Sequence, residues 1–176
     1  NDVEDINTGL NEFSKCIRIC FKKDNLFQNM LIYDKGRTAL KAALFAYEKR
    51  INCVLVPSFI CEVVTQTLKS EGIEIIYYEI NDDFSPNFES LNSLLNGDSE
   101  IDALLTINYF GQASSISAII NICKENDLVW IEDNSHGHGG YYKGKMLGHF
   151  GDIGFSSPRK TLGLPSGGLS YIKGHA

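Results

Sequence analysis

Val129-Trp130-Ile131-Glu132-Asp133, running into Asn134-Ser135-His136-Gly137-His138-Gly139-Gly140, is the stretch on which the reading of this chain turns. Three large apolar residues in a row predict a strand covered on both faces. The glycine- and histidine-rich run after Asp133 cannot sustain a regular helix, so it reads as a loop leaving the strand's C-terminal end. Open α/β sheets bind their ligands at such ends. Two acids delivered there are therefore the first candidate functional residues. A carboxylate in that place can hold a heteroaromatic nitrogen protonated through a charge-assisted hydrogen bond. It can equally cap its own loop through Asx-type bonds, and position alone leaves the two readings level.

Outward from that strand the same texture repeats. Strands are expected over 53–56, 73–78, 103–107 and 128–131, and helices over 38–49, 61–70, 88–95 and 115–126, where apolar residues recur at three- and four-residue spacing, as in Ile116, Ile119, Ile120 and Cys123. The alternation predicts an α/β fold, a three-layer, mostly parallel sheet with flanking helices. A further strand is expected over 16–21, with Lys22-Lys23-Asp24 as a solvated turn. With 176 residues, 43% of them hydrophobic, the chain can bury a sizeable core. Neither a repeat nor a Pro-rich linker divides it, so one domain is expected over 1–176.

Composition narrows the partners. A net charge of -6 and a pI near 5.2 offer no basic footprint for nucleic acid, which leaves a small-molecule ligand. No apolar run approaches the roughly 18 residues of a membrane span, and the polar start Asn1-Asp2-Val3-Glu4-Asp5 resembles no secretion signal. A cytoplasmic location is expected. The five cysteines include no CxxC pair; Cys53, Cys61 and Cys123 lie in apolar stretches and read as buried thiols. Cys16 and Cys20, four residues apart without an accompanying histidine, read as packing rather than as metal ligands.

Two further elements carry chemistry. Lys160 lies in Gly154-Phe155-Ser156-Ser157-Pro158-Arg159-Lys160-Thr161-Leu162, ahead of a Pro165-Ser166-Gly167-Gly168 turn. A lone loop lysine is ordinarily just solvated. Beside Arg159 and a buried ligand its amine would be desolvated and close to another cation, which lowers its pKa and favours imine formation near neutral pH. Gly36-Arg37-Thr38-Ala39-Leu40 opens an amphipathic helix, whose unpaired N–H groups can bind phosphate with help from the Thr38 hydroxyl. The same pattern can be an ordinary N-cap. It is neither a Walker loop nor GxGxxG.

In order and spacing these elements resemble the DegT-type nucleotide-sugar aminotransferases, a branch of the fold-type I pyridoxal 5′-phosphate (PLP) enzymes, over about residues 33–168. The resemblance implies the large domain of that fold, PLP as cofactor, and a role for each matching position. Gly36, Arg37 and Thr38 match the element that holds the cofactor phosphate. Val56-Pro57-Ser58-Phe59-Ile60-Cys61 is similar to the Pro-x-aromatic element whose ring stacks on PLP; the usual position aligns with Cys61, so either Phe59 substitutes or the stack is lost. Asn108 stands where the family's His-x-Tyr-Gly segment has its histidine. Glu132-Asp133-Asn134-Ser135-His136 is the most specific match, and it makes Asp133 the partner of the pyridinium nitrogen and His136 a neighbour of the ring hydroxyl. Lys160, at the family's distance from Gly167-Gly168, is the Schiff-base lysine. The interval from serine to lysine is one residue short, so the phosphate-contacting serine is Ser156, or Ser157 beside it.

The implied reaction moves an amino group from an amino acid such as glutamate onto a keto-sugar nucleotide, in a homodimer. Lys160 first holds the cofactor as an imine and then acts as base and acid. Dehydratase relatives replace this lysine, so its presence implies transamination. The family usually continues past the Gly-Gly turn into a small C-terminal domain, and 1–176 is expected to be the PLP-binding large domain without it. A degenerate PLP-fold protein that binds or regulates without turnover is the rival reading, and a plain nucleotide-binding domain is a weaker third. His136, His138 and Asp133 suggest a metal site less well than a phosphate- or sugar-binding loop. Tyr77-Tyr78, Tyr109-Phe110 and Tyr141-Tyr142 read as packing, and Asp82-Asp83 as a solvated turn.

Overall fold

A computed structural model describes residues 30–113 and 115–173. The strand expected over 16–21, the turn after it, the Cys16/Cys20 pair and the polar start lie outside the described residues. In chain order the elements are β1 (Met30–Tyr33), α1 (Gly36–Ala46), β2 (Cys53–Pro57), α2 (Glu62–Ser70), β3 (Glu74–Tyr78), α3 (Phe88–Leu95), β4 (Ala103–Ile107), α4 (Ile116–Glu125), β5 (Val129–Asp133), the two-residue strands β6 (Tyr141–Tyr142) and β7 (Lys145–Met146), β8 (Ile153–Ser156), α5 (Arg159–Leu162) and β9 (Gly168–Ile172). Two of the expected elements have an end displaced by two or more residues. Helix α1 starts at Gly36 rather than Thr38 and stops at Ala46, and β5 runs on through both acids.

Seven strands form one sheet in the order β1-β9-β8-β5-β4-β2-β3. The five from β8 to β3 run parallel. Strand β9 returns antiparallel to β8, and β1 pairs antiparallel with β9. The return is made by the Gly163 to Gly167 turn, where Gly163 is left-handed at φ 65° and ends α5.

Period-two alternation in the central strands divides the core into two layers. Val54, Val56, Leu105, Ile131 and Phe155 face α1 and α2, joining Ala39, Leu40, Ala43, Val64 and Leu68. Leu55, Leu104 and Trp130 face α3 and α4, joining Leu91, Ile116, Ile119 and Cys123. Each large side chain so covered contributes about 1.5–3 kcal/mol, and the expected three-layer arrangement follows. No described helix is long and apolar enough to cross a membrane. The alternation also settles where the functional acids go. Asp133 continues the Val129-Ile131 side toward α1 and α2, whereas Glu132 falls with Trp130 on the other. Strands β3 and β4 lie on opposite sides of β2, so the chain direction reverses there and opens a crevice beyond the strand ends.

Candidate active site

That crevice is a cavity of about 460 Å³ at the C-terminal ends of the parallel strands. Six of the eight residues singled out from the sequence line it: Gly36, Arg37, Phe59, Asp133, His136 and Lys160. The other two do not. Thr38 is on the exposed outer side of α1's first turn. Ser156 is inward-facing on β8 but on the opposite face from Phe155, its Oγ 3.5 Å from His138 Nδ1. The cavity serine is Ser157, buried just past the strand end. Between Ser156 and Ser157, strand parity puts the second on the ligand side.

Asp133 is 4% exposed. Burial pushes its carboxyl above the usual range, against the opposing pull of hydrogen bonds from Ser135 and the positive charges of Lys160 and His136. The Ser135 backbone N–H donates to Asp133 Oδ1 at 2.8 Å. The Asx-type bond and the cavity position, weighed above as alternatives, are thus both present. Glu132 is fully buried and occupied. Its Oε1 accepts from Asn108 Nδ2 at 2.8 Å and Gly148 N at 2.7 Å, and its Oε2 from Phe150 N at 2.8 Å and Gly151 N at 3.2 Å. Asn108, in the place of the family's histidine, spends its amide on two acceptors, Glu132 Oε1 and, at 3.1 Å, Asn134 Oδ1. Both bonds come from one nitrogen, which an imidazole N–H could not supply.

Lys160 stands on the single turn of α5, not on an irregular loop, with its backbone N–H bonded to Ser157 O at 3.0 Å. It is exposed on the open side of the cavity, so the desolvation expected of its amine is not a property of this chain's own packing. Lys35, Arg37, Arg159 and Lys160 line the same cavity against one acid, Asp133. Among the described residues none of the four is in an ion pair. In a chain of net charge -6 this concentration of cations marks a place for anions. The N-terminus of α1 opens into it, its cap Lys35 supplying no side-chain bond to the helix. Gly168 makes this possible: a Cβ there would collide with the Lys35 carbonyl and the Gly36 nitrogen, so only glycine lets β9 back directly onto the helix start.

The remaining walls are apolar. Ile107, Phe155, Val63 and Val64 contribute. An aromatic chain runs along the rim: Phe59 stacks on Tyr109 (centroids 6.0 Å, planes 26° apart), Tyr109 meets Phe84 at 5.3 Å, Phe84 meets Phe110 at 5.4 Å, and Phe110 stacks on His136 at 6.3 Å. Phe59 is 60% and Phe110 67% exposed. Cys61, read from the sequence as a buried thiol, is instead exposed in the cavity wall, because it is the N-cap residue of α2 and not part of its packed face. Phe59 and Cys61 both line the cavity. Cys53 and Cys123 are buried as expected. His138 and His149 lie behind β8, away from the cavity, and among the described residues no three His, Cys, Asp or Glu side chains are grouped to hold a metal. Tyr109, Ser135 and Lys35 were not singled out from the sequence as cavity residues. The signal that could have found them was their position immediately after β4, after β5 and before α1.

Comparison with known proteins agrees with this geometry. The model of the DegT/DnrJ/EryC1/StrS aminotransferase family matches residues 29–173. GDP-perosamine synthase of Escherichia coli O157:H7 is 26% identical over 153 residues, 85% of this chain and 42% of that protein. The putative pyridoxal phosphate-dependent aminotransferase EpsN of Bacillus subtilis is 34% identical over 69 residues, 38% of this chain and 18% of that protein. The crystal structure of a DegT DnrJ EryC1 StrS aminotransferase from Brucella abortus superposes with a TM-score of 0.75 at 26% identity, over 93% of this chain and 46% of that one. The chain spans less than half the length of these relatives.

Proposed function

The chain belongs to the DegT/DnrJ/EryC1/StrS aminotransferase family, and from that membership we propose that it is the cofactor-binding large domain of an aminotransferase acting on a keto-sugar nucleotide, with an amino acid such as glutamate as donor. The cofactor is pyridoxal 5′-phosphate. The observation that carries the proposal is the meeting of Lys160, Asp133 and the uncapped start of α1 in one cation-rich cavity.

The walls fit the cofactor. A phosphate matches the α1 N-terminus with Arg37 and the Ser157 hydroxyl, and a flat ring matches the apolar walls between Ile107 and Phe155. When bound, PLP supplies an electron sink conjugated to the carbon that exchanges the amino group. Asp133 holds a proton on the ring nitrogen through a charge-assisted hydrogen bond, and the cationic partner offsets the cost of burying its charge. His136, in the loop after β5, would face the ring hydroxyl. Lys160 Nζ would hold the cofactor covalently and, as a free amine, would serve as the base that takes a proton from the substrate carbon and as the acid that returns it across the imine nitrogen. Thr38 and Ser156 are left without a part in this scheme by their placement. The keto-sugar acceptor is supported by the relative named as GDP-perosamine synthase. The working form is a cytoplasmic homodimer, which sedimentation at micromolar concentration tests. No observation favours the non-catalytic alternative.

Borohydride reduction after incubation with PLP, followed by peptide mapping, is the direct test. The cofactor mass is expected on the peptide carrying Lys160 and is expected to vanish in Lys160→Ala; an unmodified Lys160 peptide in the parent chain would sink the reading. Conversion of glutamate to its keto acid by the loaded protein then separates catalysis from binding.

A further inference from the structure

Tyr109 stands at the end of β4, yet it reaches across to the turn that follows β2. Its hydroxyl donates to the backbone carbonyl of Phe59, and its ring forms a three-ring cluster with Phe59 at 6.0 Å and Phe84 at 5.3 Å, these two lying 6.0 Å from each other. Only 7% of Tyr109 is exposed. Three residues of that turn line the cavity, of which Phe59 and Cys61 are exposed and Ile60 is half-buried against the core. Among the described residues the turn's backbone is bonded by Ser58 N to Tyr78 O at 2.8 Å and Val64 N to Cys61 O at 2.9 Å, one at each end, with Ile60 packed against the core and Phe59 against Phe84. Between those ends, the Tyr109 hydroxyl is the hydrogen-bonded tie to a neighbouring strand. A buried phenol bonded to a carbonyl is a rigid strut, since both its ring and its hydroxyl are fixed by packing.

We propose that Tyr109 is a positioning residue that clamps the Ser58 to Cys61 turn from β4 and so sets the wall facing the cofactor ring. The proposal rests on the cofactor reading above for its consequence, but the clamp is a property of the protein alone. It explains how a wall built largely of exposed residues keeps one geometry. It also gives the β4 segment a task distinct from that of Asn108, which binds the other side of β5.

The test uses Tyr109→Phe, which keeps the ring and deletes the hydroxyl. First, Cys61 is alkylated in the cofactor-free protein and followed by peptide mapping, which separates it from the other cysteines. Cys61 labelling is expected to accelerate at least about fivefold, with the thermal midpoint nearly unchanged, because the loss is of one hydrogen bond. Second, after PLP is added, the visible circular-dichroism band of the bound cofactor is expected to fall by at least about half, since its sign and size report the asymmetry of the wall; loss of a single hydrogen bond is about 1 kcal/mol, enough for such a change in population. Unchanged labelling and an unchanged band, whatever happens to the midpoint, overturn the proposal. Should Tyr109→Phe not fold, Phe84→Leu removes a ring that packs on both Tyr109 and Phe59 but keeps the hydroxyl. It must leave Cys61 labelling within about twofold, and a larger acceleration would transfer the clamp to ring packing and overturn the role of the hydroxyl. Accelerated labelling in a protein whose parent chain shows no cofactor band would leave the clamp standing and fail the cofactor reading instead.

Discussion

Glu132 and Asp133 are adjacent carboxylates on one strand, both buried, and they do opposite work. Glu132 is closed in by four donors from β4 and from the 148–151 loop. Asp133 is bonded locally by Ser135 and turned toward a cavity rich in cations. The difference lies in strand parity and not in chemistry. One face of β5 receives backbone N–H groups already committed to a carboxylate; the other receives space. A buried acid with a full set of donors is a structural element, while a buried acid whose burial raises its pKa beside a lysine and a histidine is poised to meet a ligand cation.

The contrast breaks most visibly at Glu132. Glu132→Ala leaves three backbone N–H groups and the Asn108 amide without their acceptor, and unfolding in urea should show a loss of about 3–5 kcal/mol; a loss under about 1 kcal/mol would make the two acids equivalent. Asp133→Asn should do the reverse, shifting stability by less than about 1 kcal/mol while lowering turnover of the PLP-loaded protein at least a hundredfold, the equivalent of about 2.7 kcal/mol of lost charge-assisted bonding. Asn108→Ala, which removes the bonds to Glu132 and Asn134, should cost about 1–2 kcal/mol in the same unfolding assay.

Acid titration sharpens the comparison further. His149 lies between Gly148 and Phe150, whose N–H groups hold Glu132, and its ring packs on Tyr171 at 4.4 Å. Burial, with Lys145 and His138 nearby, pushes His149 down to about 4; burial does the same to His138. For groups whose folded pKa is depressed below the ordinary 6.5, stability is fully present above about 6.5 and is lost as pH falls toward 4. The thermal midpoint should therefore drop across that window, and His149→Gln should flatten the drop by on the order of 1 kcal/mol. Asp133 works in the opposite sense. Its raised carboxyl costs stability when charged, so acidification should move the difference between the parent chain and Asp133→Asn toward the parent. Equal differences at pH 7 and at about pH 4 would remove the argument from burial.

Much of this was legible in the sequence, for reasons that can be named. Unbroken apolar runs such as Val54-Leu55-Val56 and Val129-Trp130-Ile131 have few outcomes other than a covered parallel strand, and the four central strands and four longer helices fall within about three residues of expectation. The cofactor cavity was legible because its chemistry sits at strand ends. What escaped depends on geometry beyond one element. Gly168-Leu169-Ser170-Tyr171-Ile172 mixes small, polar and apolar residues, and its antiparallel return comes from the turn at Gly163, not from its own pattern. Ser157 in place of Ser156 follows from where β8 ends. Cys61 looked buried by its neighbours, but a helix cap faces outward whatever surrounds it in sequence. The bond from Tyr109 to Phe59 joins residues 50 apart and has no sequence signature.

The placement of β9 bears on how the protein is made. Strand β1 and the start of α1 precede the other elements, but among the described residues β1 pairs only with β9, and Gly168 is what lies against Lys35 and Gly36. During synthesis the N-terminal end of α1, proposed above to receive the phosphate, therefore waits, without its backing, until the ribosome has released Ile172. A nascent chain of this topology should therefore complete its cofactor cavity only when β9 pairs. A ribosome-bound series lengthened through Gly168–Ile172 should gain the cofactor in one step.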